Sequence, residues 1–123
     1  MSSTAFDPNA AATPGSGIFG LPEDPDGARV HVLGVPFDAT TSFRKGTAHG
    51  PAAIRAASGQ VDLFDALNGR PYEAGIWMAP LDPAVERWNA EASRAAEPVI
   101  AAAGAGDDPE LRKAAARVDA IQE

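Results

Sequence analysis

The feature that most constrains this chain is the run from Val30 to Phe37, where Val30, Val32, Leu33, Val35 and Phe37 crowd one short stretch ahead of a glycine-bearing loop. Aliphatic and β-branched residues without strict alternation predict a strand covered on both faces, as strands of parallel sheets are. Pro36 has no N–H to give to a ladder, so it belongs near the strand's end. Beyond the loop from Asp38 to His49, Gly50 and Pro51 open a helix, since proline at the first helical position forfeits only a donor that has no partner there. The stretch "AAIRAAS" carries that helix to Gly59. Strand, loop and helix start together form an α/β unit, and in open parallel sheets ligands gather at the loops beyond the strands' carboxyl ends.

The flanking segments are read by the same rules. Residues 1–27 hold isolated apolar positions at Ile18, Phe19 and Leu21 with no helical or alternating period, which predicts an extended or disordered arm. Within it "GSGIFG" matches the dinucleotide-binding glycine pattern in form, but no strand precedes it and "LPEDPDG" follows in place of a helix. "VDLFDALNG" stays open between a helical turn and an extended piece. "YEAGIWMAPL" is a candidate second strand. Asp82 and Pro83 open a helix whose apolar stripe runs Val85, Trp88, Ala92, Ala95, Ala96 and Val99; Pro98 should kink or restart it, and Gly104 and Gly106 should end it. Asp107, Asp108, Pro109 and Glu110 start a last helix with Leu111, Ala115, Val118 and Ile121 on its apolar face. Trp77 and Trp88 are expected to fill core gaps against the sheet.

Composition narrows the chemistry. The absence of cysteine excludes disulfides, thiolate zinc sites and cysteine nucleophiles. Only His31 and His49 are available as imidazoles, and 17 acidic against 10 basic residues leave a formal net charge of −7, which repels phosphate backbones and argues against nucleic acid as a partner. No apolar run approaches the ~18 residues of a membrane span, and the first residues carry neither the basic start nor the apolar core of a secretory signal. A cytoplasmic protein is expected.

The block "LGVPFDATTSFRKGTAHGPAAIRAAS" resembles the opening of the ureohydrolase family, arginase, agmatinase and their relatives. The matching positions are Gly34, Val35, Pro36, Phe37, Asp38, Arg44, Gly46, Gly50, Pro51, Ile54 and Arg55, and the resemblance is strong over residues 28–65. It implies the amino-terminal part of a three-layer α/β/α arginase-like fold with a mostly parallel sheet, formed by residues 28–123 as an incomplete domain. It also implies a dinuclear Mn2+ hydrolase that releases urea from a small guanidino compound, agmatine-like in type, and a homo-oligomer. Two divalent metals acidify a shared water into a nucleophile at neutral pH, and carboxylate-rich ligation suits manganese. The family's metal ligands lie in Gly-Gly-Asp-His, Asp-Ala-His-x-Asp and Asp-x-Asp-x-x-Asp-Pro motifs, none of which this sequence contains. The segment "EAGIWMAPLDP" also lacks the Asp-x-Gly-Asp that often follows the family's second strand, which points to a guanidino substrate other than the commonest ones. The expectation is therefore an amino-terminal fragment, inactive alone, with no catalytic residue and no metal of its own. The competing expectation is a non-enzymatic remnant or interaction module that pairs with a full-length relative.

Substrate-rim candidates are Asp38, Phe43, Arg44 and His49. Each has a plainer reading. Asp38 stands where it can lend negative potential to a pocket, or equally cap a turn. Phe43 could wall a pocket or a subunit contact. Arg44 and its neighbour Lys45 could steer a carboxylate or be solvated loop charges, and His49 could be a residue just ahead of a helix. Gly34, Pro36, Gly46, Gly50, Pro51 and Arg55 are the structural positions of the motif, with Arg55 expected to anchor its helix through Asp62 or Asp65. His31, inside the strand, is expected to be a satisfied core or interface histidine.

Overall fold

A computed structural model describes residues 6–123, so the first five residues of the expected arm lie outside the described residues. The elements in order are β1 (Val30–Val32), α1 (Gly50–Ser58), β2 (Ile76–Met78), α2 (Pro83–Ala101) and α3 (Pro109–Gln122), with 3₁₀ turns at Ile18–Gly20, Thr47–His49 and Pro71–Ala74. The chain divides into two units, Met1–Gly34 with Pro51–Pro80, and Val35–Gly50 with Leu81–Glu123.

The first unit is built on a parallel pair, β1 with β2, in the register Val30 to Ile76, His31 to Trp77 and Val32 to Met78. Its entry is set by Gly75, at φ 72°, where a Cβ would lie 2.9 Å from the Ala28 Cα. Only glycine lets the backbones approach this closely, and the amides of Arg29 and Val30 then both donate to the Gly75 carbonyl at 3.1 Å. Arg55, on α1, donates through Nη1 to the Met78 carbonyl at 3.1 Å and pairs with Glu23. That corrects the expected anchors, since Asp62 and Asp65 instead close their own local turns onto the amides of Phe64, Leu67 and Asn68. Residues 6–27 hold no regular element beyond one 3₁₀ turn, yet Ile18 (2% exposed) and Leu21 are buried and Phe6 meets Tyr72 edge to face at 5.9 Å. The buried Ser58 hydroxyl ties this segment down by accepting from the Phe19 amide at 2.9 Å while donating to the Arg55 carbonyl. Among the described residues the Ile18–Gly20 turn also has neither a strand before it nor a helix directly after it, so the glycine pattern there makes no nucleotide cradle.

Two expectations about the strand require correction. It is only three residues long, and it is not covered on both faces: Val30 is 45% exposed and Leu33 74%. The parallel arrangement is as read, but among the described residues the sheet has two strands, too few to bury its own apolar side chains. His31 is correspondingly exposed, its ring satisfied by the Pro25 carbonyl at 3.1 Å and packed edge to face on Trp77 at 5.2 Å.

The second unit is a helical hairpin plus the loop ahead of α1. Both helices start as their sequences predict, with Asp82 accepting from the Ala84 amide and Asp108 from those of Glu110 and Leu111. Small residues let the two helices close on each other: Ala92 and Ala96 on α2 are buried, as is Val118 on α3, and Arg117 pairs with Glu91 across the seam. Pro98 neither ends nor restarts α2, which runs on to Ala101. The stop comes from Ala103, at φ 56°, with the Gly104 amide bonded to the Val99 carbonyl and the Ala103 amide to that of Ile100. This is a Schellman closure in which alanine holds the left-handed place that glycine usually takes. Trp88 does not fill the core; it is 49% exposed and, with Val35, Phe37, Val85 and Ile121, lines an open groove of about 910 Å³.

Candidate functional site

The loop from Asp38 to His49 is the part of the chain whose residues carry the family resemblance, and its conformation follows from one carboxylate. Upstream, the Phe37 amide bonds to the Val35 carbonyl at 2.9 Å around Pro36, a tight γ-turn that stops extended pairing and delivers Asp38 to the interior. Asp38 is 7% exposed. Its Oδ2 accepts from the amides of Gly46 at 2.7 Å and Ala48 at 3.2 Å, and its Oδ1 accepts from the Asn89 side-chain amide at 3.1 Å. Its own backbone amide donates to the Asn89 Oδ1 at 2.8 Å, so loop and helix α2 are joined by a reciprocal pair. The Asp38 carbonyl meanwhile accepts from the Thr41 hydroxyl at 2.8 Å.

This geometry has an electrostatic consequence. The Gly46 and Ala48 amides, then Asn89 and the positive charge of Lys45, hold the Asp38 carboxyl below its ordinary 3.8 against the opposing effect of burial. The group is an anion whose lone pairs are spent on the protein's own donors. Between its anchors the loop bends through two left-handed residues, Arg44 at φ 46° and Gly46 at φ 134°. Glycine carries the second without strain, while at Arg44 the conformation is a local cost. Phe43 projects at 79% exposure with the Arg44 guanidinium 5.5 Å from its ring centroid, and His49 ends the Thr47–His49 turn on the surface.

Of the four rim candidates, the structure therefore places Asp38 inside the loop and Phe43, Arg44 and His49 outside it. Gly50 and Pro51 open α1 as read, although Gly50, at φ −53°, has an ordinary helical backbone. Asn89 was missed by sequence reading. The available signal was its position: Asn89 lies four residues after Val85 and three before Ala92, a polar side chain on the apolar stripe of α2, which requires a buried partner.

Among the described residues no three His, Asp or Glu side chains converge as metal ligands, so these residues do not fit a dinuclear centre. Among the described residues no helix is long and apolar enough to cross a membrane.

The arrangement is that of an α/β protein: a parallel strand pair, a loop pinned by a buried carboxylate, and helices following in sequence. Comparison with known proteins is more specific. The chain belongs to the Arginase family, whose model matches residues 28–102. It is similar to the N(1)-aminopropylagmatine ureohydrolase of Synechocystis sp., 44% identical over 57 residues that make up 44% of this chain and 19% of the relative. It is also similar to the N(1)-aminopropylagmatine ureohydrolase of Thermus thermophilus, 39% identical over 79 residues, 63% of this chain and 27% of the relative. The chain thus spans about a quarter or less of the length of these relatives. No solved structure matches it.

Proposed function

We propose that these 123 residues are the amino-terminal portion of a manganese-dependent ureohydrolase that cleaves a guanidino group from a polyamine-like cation and releases urea. The observation that carries this reading is the family match over residues 28–102, together with two relatives that are both N(1)-aminopropylagmatine ureohydrolases. A guanidino compound with an aminopropyl tail is the substrate class, a narrower choice than agmatine itself, and the net charge of −7 accords with a polycationic substrate. The metal pair would supply an activated water. Its ligands would come from the family's remaining length, so this chain alone is inactive. In that setting Phe43, Arg44 and His49 stand at the rim of the site, and Asp38 holds the loop that presents them. Assembly into a homo-oligomer and a cytoplasmic location belong to the same reading.

The test is a urea-release assay with Mn2+ on N(1)-aminopropylagmatine and on agmatine, run on this chain and on the protein isolated from its source. Urea from the source protein and none from the chain is the expected result. A source protein of the chain's own 12.6 kDa, or one of larger mass that releases no urea from either compound, would overturn the proposal.

A further inference from the structure

The stretch "VDLFDALNG" between α1 and β2 closes into a tight turn, with Asp65 and Gly69 bridged antiparallel, and it holds chemistry that the hydrolase reading does not use. Asn68 is one of three asparagines in the chain and the only one followed by glycine. With no Cβ on Gly69 to shield it, the Gly69 amide nitrogen can reach the carbonyl carbon of the Asn68 side chain, the approach that closes a cyclic imide. Asn68 is exposed, and Gly69, at φ 74°, has open space around it. The folded turn restrains both partners of that reaction. The Gly69 amide donates to the Asp65 carbonyl at 2.7 Å. Asp65 Oδ1 accepts from the Asn68 side-chain amide at 3.1 Å and from the backbone amides of Leu67 at 2.8 Å and Asn68 at 2.7 Å. The backbone amides of Asn68 and then Leu67 hold the Asp65 carboxyl below its ordinary 3.8, so at neutral pH the acceptor is an anion.

We propose that Asn68–Gly69 is a deamidation site gated by Asp65, protected while the turn is closed and reactive when it opens. In the open turn the Gly69 nitrogen attacks Cγ of Asn68. The new N–Cγ bond replaces the Cγ–Nδ2 bond, the side-chain nitrogen leaves as ammonia with the Gly69 amide proton, and water then opens the cyclic imide to aspartate or isoaspartate. The product cannot rebuild the turn, because a donor 3.1 Å from the Asp65 carboxylate has become a second anion. The change is therefore one-way, and it adds a further negative charge to a chain already at −7. Nothing in this chemistry draws on the hydrolase activity.

The experiment incubates the full chain at mildly alkaline pH, native and in guanidinium chloride, and follows residue 68 by peptide mapping with mass spectrometry. Asn9, followed by alanine, is the internal reference. The expected result is a product at residue 68 that outpaces the one at Asn9 and forms roughly tenfold more slowly in the native chain than in denaturant. Asp65→Ala is expected to speed the native reaction roughly fivefold and to leave the denatured rate unchanged. Hydrogen exchange at the Val30 and Ala79 amides reports whether that variant keeps the β1–β2 bonds. Should it lose them, Asp65→Asn takes its place; it keeps an oxygen acceptor without the charge, and a native rate roughly twofold to threefold above the original is expected. Asn68→Asp, the product's own charge, is expected to speed exchange at the Leu67 and Gly69 amides. Equal native and denatured rates in the original chain would overturn the proposal, as would a folded Asp65 variant that reacts no faster than the original. So would an Asp65 effect that persists in denaturant, since that is a property of the local sequence and not of the turn. Unchanged exchange in Asn68→Asp would overturn its one-way character.

Discussion

The loop around Asp38 and the sheet edge at β1 leave their backbone polar groups in opposite states. In the loop, a buried carboxylate gathers two backbone amides and a side-chain amide 51 residues away, so order comes from saturated polar groups. At the sheet, Val30 and Leu33 stay exposed and the outward backbone of His31 faces away from β2, so the local apolar pattern is unspent. The difference teaches that the signature of a buried strand and the signature of a polar-pinned loop are not equally self-sufficient. A polar knot closes on a few named partners, whereas a parallel strand needs neighbours on two edges and two faces.

The sharpest way to break the comparison is Asp38→Ala. It strands the Gly46 and Ala48 amides and Asn89, and is expected to destabilise the second unit by about 3 kcal/mol, read by urea denaturation through Trp88 in a Trp77→Phe background. Protonation does part of the same by acid. Because the folded carboxyl is held below its ordinary 3.8, its stabilising contribution is complete above that value and is lost as pH falls through the lower folded one. Acid titration of the original chain should therefore show a Trp88 midpoint that falls below pH about 4, and Asp38→Ala should flatten that slope.

Smaller effects sharpen the contrast. Gly46→Ala has open space for its methyl but must hold φ 134°, so a loss of about 1–2 kcal/mol is expected from backbone strain alone in the same denaturation assay. In the first unit Arg55→Ala removes a half-exposed guanidinium from the Met78 carbonyl and Glu23; about 1 kcal/mol is expected, less than Asp38→Ala because water replaces its partners. A loss equal to that of Asp38→Ala would erase the distinction drawn between the two regions. Last, Ala103→Gly should raise the thermal midpoint, a gain of about 0.5–1 kcal/mol, by relieving the left-handed alanine at the end of α2.

How legible these features were depended on the range of the interactions behind them. The caps Asp82 and Asp108 and the opening of α1 at Gly50 and Pro51 were readable because each is settled within a few residues of chain. The end of α2 was misread by one residue, since Gly104 drew attention away from Ala103, whose strain is outweighed by the bonds it closes. Arg55 was correctly seen as an anchor, but Met78 and Glu23 are brought to it by tertiary folding and leave no local trace.

By itself, the sequence determined the order of strands and helices, the absence of cysteine chemistry, and membership of a family through a motif from Gly34 to Arg55. These are local or compositional properties, and they survive without knowledge of contacts. Only the tertiary structure decided that Asp38 turns inward onto Gly46, Ala48 and Asn89, that Trp88 stays half in solvent, and that β1 pairs, among the described residues, with β2 alone. Burial and pairing are properties of what surrounds a residue, and a pattern of side chains along one strand cannot specify how many neighbours will arrive to cover it.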